Sequence, residues 1–499
     1  MIDYLKTVEK WCIQELWMEG PSDGNPFMDY EIAAEFKSKS ESASVRGFYD
    51  GDGKYCVRFM PSFEEEYSFR LTSNFTEGEQ TGSFTVTPAA PGNHGPVRVC
   101  GTYHFAYEDA TPYYSIGTTC YAWTHQPQEI QAKTLETLKN NVFNKIRFCI
   151  FPKHYVYNEN EPITYPFEKK ADGSWDFTRL NPEHFRLIEN RISDLRDMGI
   201  EADLILFHPY DRWGFSKMDP ETDDFYLRYV IARYAAYRNV WWSLANEYDI
   251  MTKTTADWER FAAILCREDP VSHLRSIHNC IHFYDHSRPW VTHASVQRTD
   301  NFKTTEYTDE WRRRWNKPVV IDEMVYEGNL DKDWGNITGE ETVRRFWEAV
   351  LRGGYPGHGE TYLDPDDVIW WAKGGELHGS SPERFKFLYK ILCETPGHGL
   401  TAGNNSPFMP ISFRSVKAEP EDRRYKGKYF IYYYGFTQPA FASFHIDDET
   451  EFQVEILDTW NMTITDGGVH KGAFRIELPG RAGLTPSSGV RPTQANPTR

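Results

Sequence analysis

Two glutamates carry the chemistry this chain could do. Glu247 follows Asn246 at the end of an apolar, strand-like run that starts at Val240 and continues Trp-Trp-Ser-Leu-Ala. Glu323 closes a second such run, Pro318-Val-Val-Ile-Asp-Glu. A carboxylate at the tip of a buried strand is costly without a partner or a task. Two of them at two strand tips supply what double displacement at a glycosidic carbon requires, one group to give a proton and one to attack. Glu247 is expected to be the general acid/base, because partial desolvation beside another carboxylate raises its proton affinity. Asn246 is expected to hold a sugar hydroxyl, and Glu323 to be the ionised nucleophile. Asp322 precedes Glu323 on the same strand and should therefore point the other way, toward the helices.

Other residues could complete such a site. Arg147 lies inside an apolar strand, where it either holds the nucleophile ionised or makes an ordinary structural ion pair. His208, His278 and His293 fall at or after the third, fifth and sixth candidate strands, and are expected to contact substrate. Trp370 and Trp371 end the eighth candidate, and alternation sends one of them to the sugar floor. Trp123, after the first strand, is a weaker contact of the same kind. Tyr326, just beyond Glu323, could donate to the nucleophile. No metal is expected, since the histidines are scattered and no HExxH occurs. Nor is any cofactor expected, because phosphate-loop, dinucleotide and nucleophile-elbow patterns are missing.

The elements that must position these groups alternate between strand and helix from about residue 113 to 395. Candidate strands begin at Tyr113, Lys145, Glu201, Val240, Arg275, Trp290, Val319 and Val368, with helical periodicity between most of them. The helix from Phe185 to Met198 ends at Gly199, a good cap. Eight such units predict an α/β fold, a (β/α)8 TIM barrel. Glu247 then falls on the fourth strand and Glu323 on the seventh, both at the C-terminal face. The glycine-rich run Gly353–Gly359 reads as a loop before the eighth strand. Residues 1–98 show short alternating strands and a turn at Asp50-Gly-Asp-Gly, which predicts an N-terminal β-sandwich. Pro88–Pro96 is a Pro/Gly-rich linker. The barrel domain is expected over 99–400, a small antiparallel β domain over 401–483, and a polar, proline-containing disordered tail over 484–499.

Composition sets outer limits. With 499 residues the chain needs more than one core. Its net charge of −18 opposes phosphate backbones, so no nucleic-acid partner is expected. Aromatics reach 16%, which suits sugar stacking and equally suits a large aromatic core. No apolar run is long enough to span a membrane. The N-terminus shows no signal-peptide pattern, and the eight cysteines show no CxxC or clustering. Free thiols in a reducing, cytoplasmic setting are the expectation. Oligomeric state is left open.

At these residues the chain resembles the clan A glycoside hydrolases, retaining (β/α)8 enzymes with Asn-Glu on strand four and Glu on strand seven. Asn246, Glu247 and Glu323 match that pattern, as do Arg147 on strand two and a tryptophan at strand eight. The leading domain resembles the small β-sandwich found ahead of such barrels in bacterial carbohydrate-utilisation enzymes. The whole arrangement is similar to bacterial hydrolases distantly related to the apiosidases that trim plant pectin side chains. One departure is His293-Ala-Ser, where the clan commonly has His-x-Tyr after strand six. The resemblance implies a retaining glycosidase with a carbohydrate substrate, and the expected cytoplasmic location favours exo action on short plant- or host-derived pyranosides or furanosides. A non-catalytic carbohydrate-binding barrel and a transglycosylase using the same residues are the alternatives.

Overall fold

A computed structural model describes residues 2–300, 303–366, 368–402, 414–418, 429–436, 438–445, 448–479 and 489–494. The chain opens with two facing sheets, one of five strands and one of three. Strand Glu66–Ser73 shows why they pair. Tyr67, Phe69 and Leu71 are buried and alternate with exposed polar residues. Phe36 stacks on Phe59 across the two sheets, and Tyr67 on its cross-strand neighbour Phe84 within the larger one. The turn joining Phe48–Tyr49 to Lys54–Phe59 places Gly51, Asp52 and Gly53 at positive φ, which explains its Asp-Gly-Asp-Gly composition.

The central body is a parallel barrel. Its strands are β1 Gly117–Thr119, β2 Lys145–Cys149, β3 Glu201–Phe207, β4 Val240–Ala245, β5 Arg275–Ser276, β6 Ala294–Gln297, β7 Val319–Glu323 and β8 Tyr355–His358. They pair in the cyclic order of a TIM barrel, β8 returning to β1. Closure between β5 and β6 rests on the parallel bridge His278 to Ser295. Helices follow seven of the strands. The stretch from β5 to β6 forms none. Pro182–Asp197 and Pro220–Tyr234 each start with a proline behind a capping Asn181 or Asp219, whose side chain accepts a backbone N–H.

Three segments differ from their expected state. The sixth strand begins at Ala294, just after the Trp290–His293 run. The eighth is Tyr355–His358, taken from the glycine-rich stretch expected to be a loop. The run at Val368 instead leads into a short helix, Trp370–Lys373. Pro356 and Gly357 disguise β8, yet the glycine is required there. A Cβ on it would sit 2.7 Å from the Asp322 carbonyl oxygen, on the neighbouring strand.

A hairpin, Val97–Cys100 with His104–Tyr107, closes the N-terminal end of the barrel. Its Phe105 packs on Trp241, His293 and Tyr355, whose residues open β4, β6 and β8. Beyond the barrel, antiparallel sheets form the C-terminal region. Gly489–Gln494, within the tail expected to be disordered, is a strand paired with Phe430–Tyr433 and Glu451–Asp458. The rest of 484–499 lies outside the described residues. Among the described residues no helix is long and apolar enough to cross a membrane. None of the eight cysteines is in a disulfide.

Candidate active site

The barrel interior is charged where most are apolar. Lys145 of β2 reaches Asp203 of β3 and Asp322 of β7, both at 2.8 Å. Arg147 lies 3.5 Å from Asp203 and 4.0 Å from Asp322, and donates to Ser243 at 3.0 Å and Asn246 Oδ1 at 3.3 Å. All four charged groups are fully buried, so two cations and two anions must offset one another. Asp322 thus faces inward, against the expectation from strand alternation. β7 slips by one residue against β6, Ser295 pairing with Val320 but Gln297 with Glu323. The extra residue lets Asp322 and Glu323 both turn to the barrel axis. This salt-bridged layer is the floor under Asn246, Glu247 and Glu323.

On that floor the two glutamates meet different neighbours. His278 Nε2 lies 3.3 Å from Glu323 Oε1, and the Tyr121 hydroxyl donates to the same oxygen. The Gln297 amide fits best with its nitrogen 3.2 Å from Glu323 Oε2. Burial alone would push Glu323 up. The His278 contact, the Tyr121 bond and the nearby Lys153 charge overcome it and hold the carboxyl at about 2. Glu247 goes the other way. Burial and the Glu323 charge raise it, with Lys153 and the Tyr210 hydroxyl in partial opposition. Its Oε2 is buried without a hydrogen-bond partner. Glu247 also sits at φ 54° and ψ 54°, a left-handed conformation that a non-glycine residue adopts only when its surroundings impose it. One carboxyl is therefore held ionised and its neighbour is driven toward protonation. That is the division of labour of acid and nucleophile.

Aromatic rings wall the space above. Trp371 contacts Tyr121, Tyr155, Tyr157, Tyr326 and Trp334 with centroids 5.2–5.9 Å apart. Trp371 Nε1, Tyr326 Oη and Tyr155 Oη are buried and unpartnered, like Glu247 Oε2. Buried polar atoms normally find partners. Such atoms clustered beside the two glutamates are groups available to a polar ligand such as a sugar.

Residues 101–380 match the profile of the apiosidase-like catalytic domain. The chain belongs to the apiosidase-like family. Flanking segments match two domains of unknown function, DUF5060 over residues 7–74 and DUF5605 over 418–484. A crystal structure from Bacteroides vulgatus, of a protein assigned to the glycoside hydrolases, is 35% identical, covering 98% of this chain and 100% of that one, with TM-score 0.90. A family 5 glycoside hydrolase from the same organism shares the fold at 13% identity and TM-score 0.62, over 81% of this chain and 94% of its own. No curated protein matches. By family and fold the chain is a glycoside hydrolase.

In this apiosidase-like barrel, Asn246, Glu247, Glu323, His278, Tyr326 and Trp371 come together. Arg147 touches Asn246 directly and reaches Glu323 only through its charge. His208 lies behind the site, its Nε2 on the Phe151 carbonyl at 3.1 Å, and burial lowers it to about 4. His293 is at the opposite end of the barrel, against Phe105 and Trp241. Trp123 packs in the core on Phe148. Trp370 is core too, donating to Thr118 at 2.8 Å. Tyr121, Lys153, Tyr210, Cys280 and Gln297 belong to the site but carry no sequence signal of their own. Among the described residues no cluster of histidine, cysteine and carboxylate could hold a metal.

Proposed function

We propose that this chain is a retaining glycosidase working by double displacement. Glu323 attacks the anomeric carbon while the bond to the leaving oxygen breaks, and Glu247 gives that oxygen its proton. A glycosyl ester on Glu323 results. Glu247, now a carboxylate, takes a proton from water, whose oxygen displaces Glu323 and releases the sugar with its configuration retained. The observation that carries this reading is the unlike setting of two glutamates in one site: Glu323 Oε1 meets His278 Nε2 at 3.3 Å and the Tyr121 hydroxyl, which hold it ionised, whereas Glu247 Oε2 is buried without a partner and its carboxyl is raised by burial and by the Glu323 charge.

A panel of aryl glycosides, furanosides included, tests it. Glu323→Ala should be inactive. Glu247→Ala should lose about 10²–10⁴-fold on poor leaving groups. Azide should restore it and yield a glycosyl azide of the substrate's own configuration. An azide product of opposite configuration would mean inversion. Exo action on short glycosides, in a cytoplasmic setting, is part of the same proposal. Internal cleavage of graded oligosaccharides would overturn the exo part alone.

A further inference from the structure

Lys153 lies on the loop after β2 and is 2% exposed. Its Nζ is 3.5 Å from the centre of the Tyr121 ring, 4.3 Å from Tyr210, 4.6 Å from Tyr155 and 5.5 Å from Trp371. These π faces offset part of the cost of burying the charge, but among the described residues none accepts a hydrogen bond from its three N–H donors. Among the described residues no carboxylate lies within 4.0 Å of that nitrogen. Four other buried cations behave otherwise. Lys145, Arg58, Arg233 and Arg352 all touch carboxylates.

The position of this charge is also awkward for the reaction. Tyr121 bonds Glu323 and Tyr210 faces Glu247, so Lys153 stands beside both glutamates. It lowers the proton affinity of Glu247, the group that has to keep a proton. A bound anion would remove that effect and satisfy the free donors at once. One compact ammonium matches the single charge of a carboxylate; a phosphate ester, with about −1.5 to −2 charge near neutrality, would be left partly unpaired.

We propose that Lys153 binds the carboxylate of a uronic acid, and that the sugar cleaved between Glu247 and Glu323 is acidic. The reaction assigned to the site rests on the retaining-glycosidase reading, whereas the binding part can be tested without turnover. Wild-type protein and Lys153→Gln are titrated with glucuronate, galacturonate and their neutral counterparts glucose and galactose, followed by tryptophan fluorescence. Wild type should bind one uronate at least about 10-fold more tightly than its neutral partner, the scale of one charge-assisted bond. Lys153→Gln should bring that ratio close to one. If the variant does not fold, the wild-type ratio and its loss at high salt still decide. Equal binding of uronates and neutral sugars by wild type overturns the inference.

The second arm compares aryl uronides with neutral aryl glycosides. With a uronide, the alkaline limb of kcat should lie above that of kcat/KM, because the bound carboxylate cancels Lys153 in the complex. Neutral glycosides should show no such gap. Coincident limbs with a cleaved uronide would count against the inference. Tight uronate binding without cleavage of any glycoside would uphold Lys153 and sink the retaining mechanism.

Discussion

His278 sets much of the difference in proton affinity between the two glutamates. Buried as deeply as it is, Glu323 would by itself rise above the usual carboxylate range, and the His278 contact at 3.3 Å leads the groups that reverse this. Removing the imidazole should raise Glu323. The nucleophile would then be protonated, and idle, across the acid range. We therefore expect His278→Ala to move the acid limb of kcat/KM upward by at least about one pH unit, with activity recovering at higher pH. An acid limb that stays in place would reduce His278 to a packing residue. The sequence disclosed Glu247, Glu323 and His278 because each follows a strand whose apolar run marks its tip. Tyr121, Lys153 and Tyr210 come from loops after β1, β2 and β3, where no periodicity points inward. Only closure of the barrel brings the three loops together. His293 misled for the converse reason. A residue at the junction of loop and strand looks alike at either end of the strand, and this one lies just ahead of β6 when it was expected to close it.

At the scale of elements, the hairpin at the barrel's N-terminal end gives the barrel a stopper. Phe105 is fully buried, with ring centres 5.2 Å from Trp241, 5.8 Å from His293 and 4.8 Å from Tyr355. Deleting such a ring leaves a cavity that strands of fixed register cannot close, at a cost of about 3–5 kcal/mol. Phe105→Ala should lose that much in denaturant unfolding. Because the catalytic face is at the other end, kcat/KM per folded molecule should hold within about twofold. A larger loss of kcat/KM in fully folded protein would mean that the stopper sets strand positions up to the site. Most barrel strands were legible from hydrophobic runs bounded by turns. β8 was not, for a physical reason. It carries Pro356 and Gly357, the residues that ordinarily end strands, and its glycine is there for the close approach of β7. Trp370 and Trp371 looked more strand-like than the strand itself.

For the molecule as a whole, a buried ionic weld joins the sandwich to the barrel. Arg58, on the sandwich, donates to Glu15 at 2.8 Å and to Glu189 of the helix Pro182–Asp197 at 2.7 Å. Arg233, on the helix Pro220–Tyr234, reaches the same Glu189 at 2.7 Å and Asp50 of the sandwich at 2.6 Å. The side chains of Arg58 and Arg233 are 3% and 0% exposed, and that of Glu189 is 14%. Breaking such a network by removing one partner costs about 3–5 kcal/mol. The lower end applies to Arg58→Met, since Arg233 still meets Glu189. Burial pushes Glu189 up, but the two arginines more than reverse it, so its folded-state affinity for protons is depressed. A depressed carboxylate stabilises fully above its unfolded value of about 4.3, and the gain disappears as pH falls through the folded value. Wild type should therefore unfold as one unit near neutrality, and the sandwich should separate from the barrel in calorimetry below about pH 4. Arg58→Met should show two transitions already at pH 7, with less further change on acidification. One unchanged transition in the variant would hand the joint to its apolar part, where Phe48 and Phe27 pack on Tyr229 at 5.9 and 6.0 Å. In that case the arginines fix only the orientation of a contact that the aromatic rings hold.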